Sequence, residues 1–439
     1  MVRRQSKQQA PPILTQTSNS PLLARFIAAS GLANLADGVA VVVWAWVATL
    51  LTREPVLIAL MPIALRLPWM LFALPAGVVT DRTDRRRLII AMDIVRAVAF
   101  AAAAVVIFAS LPFDAPSEGQ TSHPLVFAAL MLCALVVGTA EVFRDNAAQT
   151  MLPAIVPHDR LERANGRLWS VELVGNALLG PALGAFLIAA LVWLPFATNA
   201  LCFALAALLM WHLRGSFRPR QPGKREWRVE LREGWAFLQG APLLKRLAVY
   251  TGIWNMLHQM IMIALVLHVQ ENLELGARGY GLILAAGAVG GIIGGLTSDR
   301  IVKWAGAAAS AQWTLLISGI AYVAIIFAPN GWWLAAVLAF FEFTGLVWNT
   351  VSVSYRQKAT PDNLLGRVNS IYRLLAWGMM PIGLLLSGLL VSFSEAIMPR
   401  DVALIVPFVV AAVGGILLTA AAWRALAEGF AGYEIGGKQ

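Results

Sequence analysis

Apolar runs of about 20 residues, each long enough to cross a bilayer as a helix, recur along the whole 439-residue chain. They lie near 25–51, 56–79, 88–110, 125–148, 168–192, 195–213, 247–269, 279–298, 305–328, 332–354, 368–392 and 402–424. Lipid offers no partner to a free backbone N–H or C=O, so such a chain must fold as a bundle of membrane helices. Hydrophobic residues make up 59% of the sequence and charged residues 13%, outside the balance of a soluble domain. The net charge of +10 raises the question of nucleic acid. The basic residues, however, sit in short loops between apolar runs, so the expected surface is the lipid bilayer and no nucleic acid is expected.

Those basic residues orient the chain. With both termini inside, 27 of the 34 Lys and Arg fall on the cytoplasmic side, and only Arg53, Arg278 and Arg400 fall on the other. The expected location is therefore the cytoplasmic membrane, as a multi-pass protein with both termini cytoplasmic. Residues 1–23 are polar and lack the layout of a signal peptide, so they read as a disordered cytoplasmic tail. The expected domains are a six-helix bundle over 24–213, a basic cytoplasmic linker over 214–246, a second six-helix bundle over 247–424 and a tail over 425–439. In the linker, Leu231, Trp235, Leu238 and Leu243 among charges predict an amphipathic helix on the inner membrane surface; a plain solvated linker is the alternative.

The two halves echo each other. Gly77, Asp81 and Arg82 form G-x-x-x-D-R, followed by Arg85, Arg86 and Arg87, and Gly295, Asp299 and Arg300 repeat it 218 residues later. A glycine where the chain leaves the membrane would let two helices approach closely. Asp81 would accept from free N–H groups at a helix start. The two cysteines, Cys133 and Cys202, lie inside apolar runs, so neither a disulfide framework nor a metal site is expected, and no cofactor.

Twelve spans, a half-chain repeat, a central basic loop and the G-x-x-x-D-R-x-x-R-R loop together resemble the major facilitator superfamily. Asp84 replaces that family's usual loop glycine, and the second copy retains only Lys303 of the trailing basic residues. Gly180-Pro181-Ala182-Leu183-Gly184-Ala185 in span 5 resembles the G-P-x-x-G-G signature of the superfamily's drug:proton antiporters, with Ala185 at the second glycine. Gly180 and Gly184 would make a smooth packing face, and Pro181 would free a carbonyl and kink the helix; packing alone is the competing reading. Asn34-Leu35-Ala36-Asp37-Gly38, with Gln149-x-x-x-Pro153 and Gln357-x-x-x-Pro361, resembles the branch of macrolide-efflux proteins and the enterobactin exporter. The resemblance implies a monomeric, all-α transporter of twelve helices in two pseudo-symmetric bundles. It would export hydrophobic or amphipathic small molecules in exchange for protons by alternating access. A metabolite importer or a lysolipid translocator is the alternative. A transport-dead sensor is a further possibility. A lipid-modifying enzyme is disfavoured, since no H-E-x-x-H, G-x-S-x-G or Walker loop occurs.

Ionisable side chains at membrane depth are candidates by default. Asp37, with Asn34 a turn earlier, is the first choice for the proton-coupling residue, because spans 1, 4, 7 and 10 line the cavity in the superfamily. A structural hydrogen-bonding role is the alternative. Glu342, flanked by Phe340, Phe341 and Phe343, is the competitor, unless it merely pairs with a cation to hold helices. Arg66 is the expected partner of one of these acids. Trp254, Asn255, His258 and Gln259 in span 7, with Trp348 and Asn349 in span 10, are expected in the substrate cavity. Glu141, Arg144 and Asp145, at i, i+3 and i+4, predict a local network acting as a gate, or a structural pair. Asp93 and Arg96 in span 3 invite the same two readings.

Overall fold

The computed structural model describes residues 21–436 apart from 115, 117–120, 157–160, 214, 216 and 219–226. The expected N-terminal tail, up to residue 20, and much of the linker lie outside the described residues, as does the side chain of Asp81. The fold is all-α, with twelve helices long and apolar enough to cross a membrane. Spans 1 to 6 are Pro21–Leu51, Pro55–Arg82, Arg85–Ser110, Pro124–Ile155, Leu161–Ala190 and Leu194–Trp211. Spans 7 to 12 are Pro242–Asn272, Ala277–Ala305, Ala307–Ile326, Gly331–Ala359, Asp362–Glu395 and Arg400–Gly436. Span 12 thus carries helix through most of the segment expected as a tail.

Local chemistry sets the helix ends. Pro55, Pro124 and Pro242 open spans 2, 4 and 7, where a missing N–H costs nothing. Asn330 caps span 10 by accepting from Trp333 N at 3.0 Å. Span 3 is capped by Asp84, whose Oδ1 accepts from Arg87 N and whose Oδ2 accepts from Phe217 N, both at 3.1 Å. This corrects the expectation for Asp81, whose backbone belongs to the last turn of span 2. A capping aspartate explains what the non-glycine residue at 84 does. Arg86 stays at the same loop and donates to the carbonyls of Met210 (3.0 Å) and Trp211 (2.5 Å), satisfying the end of span 6. Arg82 is exposed.

The second copy of the motif forms no loop. Asp299 and Arg300 are exposed on span 8, which continues to Ala305, and the chain turns at Gly306 with φ +84°. Nor does either motif glycine bring helices together, because a Cβ built on Gly77 or Gly295 meets nothing within 4 Å. Close approach happens elsewhere. A Cβ on Gly290 would overlap the Ala339 carbonyl, joining spans 8 and 10, and one on Gly383 would overlap the Met256 carbonyl, joining spans 11 and 7. In span 5, Gly180 leaves only 2.5 Å to Cα of Gly38 and Gly184 only 2.9 Å to the Val39 carbonyl, so this face packs on span 1 as its spacing predicts.

Between the halves, Trp227–Gly240 forms the expected linker helix, but it stands against span 11. Its Glu233 pairs with Arg367, and Gly234 sits where a Cβ would lie 3.1 Å from Arg367 Cβ. Leu238 is buried while Trp235 remains exposed. Leu243 belongs to span 7, because Pro242 starts a new helix.

These contacts predict opposite outcomes at two glycines. Gly290→Ala should destabilise by about 1–3 kcal/mol through overpacking, whereas Gly295→Ala should stabilise by about 0.5–1 kcal/mol by removing a helical glycine in open space. Thermal unfolding of the purified protein in detergent checks both.

Candidate functional site

A cavity of about 350 Å³ lies between the two halves. Asp37, Trp44, Arg66, Glu141 and Asn176 reach it from spans 1, 2, 4 and 5, and His258, Gln259, Tyr280 and Glu342 reach it from spans 7, 8 and 10. Most of the remaining lining is apolar, a composition suited to an amphipathic guest.

Each charge in this region answers to the cost of desolvation. Asp37 is bonded to Arg96, whose side chain is fully buried and lies 3.9 Å from the centroid of the Phe203 ring. One step further from the cavity, buried Asp93 pairs with Arg144 at 3.4 Å, and Arg144 pairs with Asp145 at 3.3 Å. Glu141 does not join its helical neighbours. It turns to Arg66 across a 3.8 Å gap, longer than a hydrogen bond. Arg66 therefore meets neither Asp37 nor Glu342, and the expected three-residue network at the end of span 4 reduces to Arg144 with Asp145.

On the other wall, Glu342 Oε1 lies 3.2 Å from His258 Nε2. The imidazole packs beside two aromatic rings: its centroid is 5.2 Å from both Trp254 and Phe341. Trp254 stacks on Phe341 at 5.2 Å and donates to Ser318 Oγ at 3.2 Å, so it supports the histidine from behind instead of lining the cavity. Glu342 is 28% exposed and has no guanidinium beside it among the described residues. Glu342, His258 and Gln259 thus fall at the cavity as their sequence positions predict.

Besides Trp254, four expected cavity residues lie elsewhere. Asn34 Nδ2 donates back to the Ser30 carbonyl at 2.9 Å. Asn255 is buried and donates to the Ala376 carbonyl at 2.9 Å, tying span 7 to span 11. Trp348 is buried, with Nε1 donating to Thr251 Oγ1 at 3.0 Å. Asn349 is exposed and outside the lining. Helical phase explains the difference, since residues one apart point about 100° from each other.

Span 5 contributes through its backbone. Leu173–Leu179 forms a π-helical turn just before Pro181, and Gly180 N donates to the Gly175 carbonyl five residues earlier. Leu173, Asn176 and Ala177 on that turn face the cavity. Ala185, at the second glycine of the motif, is accommodated by Gly281 of span 8, where a Cβ would overlap its methyl group.

At the face opposite the termini the halves are tied together. Glu271 accepts from Arg53 at 3.0 Å and from Arg400 at 2.7 and 3.2 Å; Arg400 also pairs with Glu395 at 2.5 Å and donates to the Arg53 carbonyl at 3.0 Å. Ser392 donates to Glu54 at 2.6 Å, and Gln270 donates to Thr49 at 2.9 Å. Toward the terminal face, Trp69 and Trp377 meet edge to face at 5.5 Å, with Arg373 4.1 Å from the Trp377 ring. Neither cluster was legible beforehand; the one signal was that Arg53 and Arg400 are two of only three basic residues on their side.

The buried pair yields a stability prediction. Asp37→Asn strands the Arg96 guanidinium and should cost about 3–5 kcal/mol, and adding Arg96→Met should restore most of the loss. Melting of the single and double variants in detergent checks this.

Known transporters resemble this chain in sequence and in fold. The multidrug efflux pump Tap of Mycolicibacterium fortuitum is 25% identical over 393 residues, covering 85% of this chain and 90% of that protein. The enterobactin exporter EntS of Shigella boydii serotype 18 is 26% identical over 252 residues, covering 55% of this chain and 58% of that protein. In fold, a crystal structure of a bacterial homologue of the iron transporter ferroportin in an inward-facing state superimposes with a TM-score of 0.67 at 15% identity, covering 92% of this chain and all of the other. The profile of the Major Facilitator Superfamily matches residues 26–384. The chain therefore belongs to the Major Facilitator Superfamily, and it is a multi-pass membrane transporter.

Proposed function

We propose that the protein is a proton-coupled antiporter that exports amphipathic small molecules, with Glu342 and His258 as the proton-binding pair. The observation carrying this reading is the contrast between the two candidate acids. Asp37 is neutralised by a fully buried guanidinium, so releasing it to carry protons would leave Arg96 bare. Glu342 faces the same cavity with only an imidazole beside it. A proton added to or removed from this pair strands no guanidinium.

The 27-to-3 excess of basic residues supports placing the terminal face in the cytoplasm. The Arg53–Glu271–Arg400 cluster then closes the outside, and the arrangement is an inward-facing stage of alternating access. Cargo enters from the inside and the halves rock. A proton from the outside then neutralises Glu342, cargo leaves, and the proton is released inward. Each charge carried inward contributes about 2.3 kcal/mol per 100 mV of potential. The efflux relatives support a hydrophobic or amphipathic cargo, with antibiotic-like and siderophore-like compounds as the classes to screen.

Inside-out vesicles with an acidified lumen test this. Adding an amphipathic substrate should raise lumenal pH with the wild type, and Glu342→Gln should abolish the response. A variant that releases protons as the wild type does would move the coupling site away from Glu342; no response from a broad panel of compounds would remove the export reading.

A further inference from the structure

The cavity is charged on both walls, and the two charges are unequally satisfied. A guanidinium has five N–H donors and no way to become neutral. Among the described residues none of those of Arg66 makes a hydrogen bond: the nearest acid oxygen, on Glu141, is 3.8 Å away, and the Arg66 side chain remains 40% exposed. It lies in span 2 at membrane depth, with its exposed surface on the cavity. The neighbouring guanidinium, Arg96, differs in being fully buried and in donating through Nη2 to Asp37. On the facing half, Glu342 uses Oε1 toward His258, and its Oε2 meets no hydrogen-bond donor among the described residues. Between the two walls lie Trp44, Tyr280 and aliphatic side chains.

From this arrangement we infer that the cavity selects amphoteric substrates: an apolar, preferably aromatic body carrying an anionic group that Arg66 binds and a cationic group that Glu342 binds. This rests on the export reading above and specifies the chemistry of its cargo. A purely cationic guest would leave the Arg66 donors unmet beside it, and a purely anionic guest would face the Glu342 carboxylate. A guest with both signs satisfies each wall and adds no net charge to a low-dielectric site. It also couples cargo to protons, because the cationic group and the proton compete for the same carboxylate while Arg66 holds the other end.

The test is equilibrium binding to the purified full-length protein in lipid nanodiscs, using three probes built on one planar aromatic body. One bears a quaternary ammonium, one a carboxylate, and one both. The wild type should bind the double-charged probe most tightly. Arg66→Gln should weaken the carboxylate and double-charged probes about tenfold or more, as expected for a lost charge-assisted hydrogen bond, and should not weaken the ammonium probe. Glu342→Gln should give the mirror pattern. Glu141→Gln frees Arg66 from its one nearby acid and should tighten carboxylate binding several-fold, a gain that misfolding cannot imitate.

Equal affinity of Arg66→Gln and wild type for the carboxylate and double-charged probes would overturn the proposal. So would affinities that follow apolar area alone. Binding needs no gradient, so the sign pattern can hold even if the vesicle experiment disproves antiport, and antiport can hold if the sign pattern fails.

Discussion

A guanidinium or carboxylate in hydrocarbon must find an opposite charge or water, and that requirement arranges the interior of this transporter. The first half meets it with a set of pairs buried among spans 1, 3 and 4: Asp37 with Arg96, and Asp93 with Arg144. Once these charges are accounted for, the remaining ones stand out. Arg66 with Glu141 and His258 with Glu342 are looser, partly exposed and turned to the central cavity. Tight pairs, one of them reaching the cavity wall through Asp37, hold helices, and loose pairs at the cavity remain available to a proton or a guest.

The second constraint is steric. Lipid gives helices little hydrophobic reason to associate, so they pack through small residues, and the positions where a Cβ would strike a neighbouring backbone trace the rigid parts of each half. Gly38 with Gly180 and Gly184 fuse spans 1 and 5, Gly290 and Gly294 fuse spans 8 and 10, and Gly383 fuses spans 11 and 7. Between halves the contacts are Ala185 on Gly281 and Gly388 beside Pro55 and Val56. Together with the ion cluster around Glu271 these join the halves at the face opposite the termini. Motion of one half on the other must break this set while the fused pairs move as units.

The twelve spans were legible in the sequence because each is a long apolar run, whereas the proline, asparagine and aspartate caps at their ends emerged only in the structure. The polar positions of the site were legible only by depth. Asp37, Arg66 and Glu342 all read as mid-membrane, but depth does not say which helix is adjacent or which face a residue takes. Arg66 was therefore matched to the wrong acids, while Arg96 in span 3 became the partner of Asp37. The same ambiguity turned Asn255 and Trp348 into core residues, while His258 and Gln259, a turn beyond Asn255, face the cavity. The G-x-x-x-D-R loops were misread in a different way: the pattern fits a helix–loop junction, yet Asp84 caps the first and the second lies within a continuous helix. Tyr280 and Asn176 carried no signal, since a lone tyrosine near a span end and an asparagine in a glycine-rich stretch have bland explanations.

If the halves exchange access to one cavity, as proposed, the Glu271 cluster holds the opposite face shut. Spin labels at Asp114 and Arg278 on that face and at Arg87 and Lys303 on the terminal face, all exposed positions, allow both separations to be measured by pulsed electron resonance in nanodiscs. Glu271→Gln should lengthen the first distance by several ångströms and shorten the second. If neither distance changes, or one changes without the other, the two faces are not coupled through this cluster and the account fails.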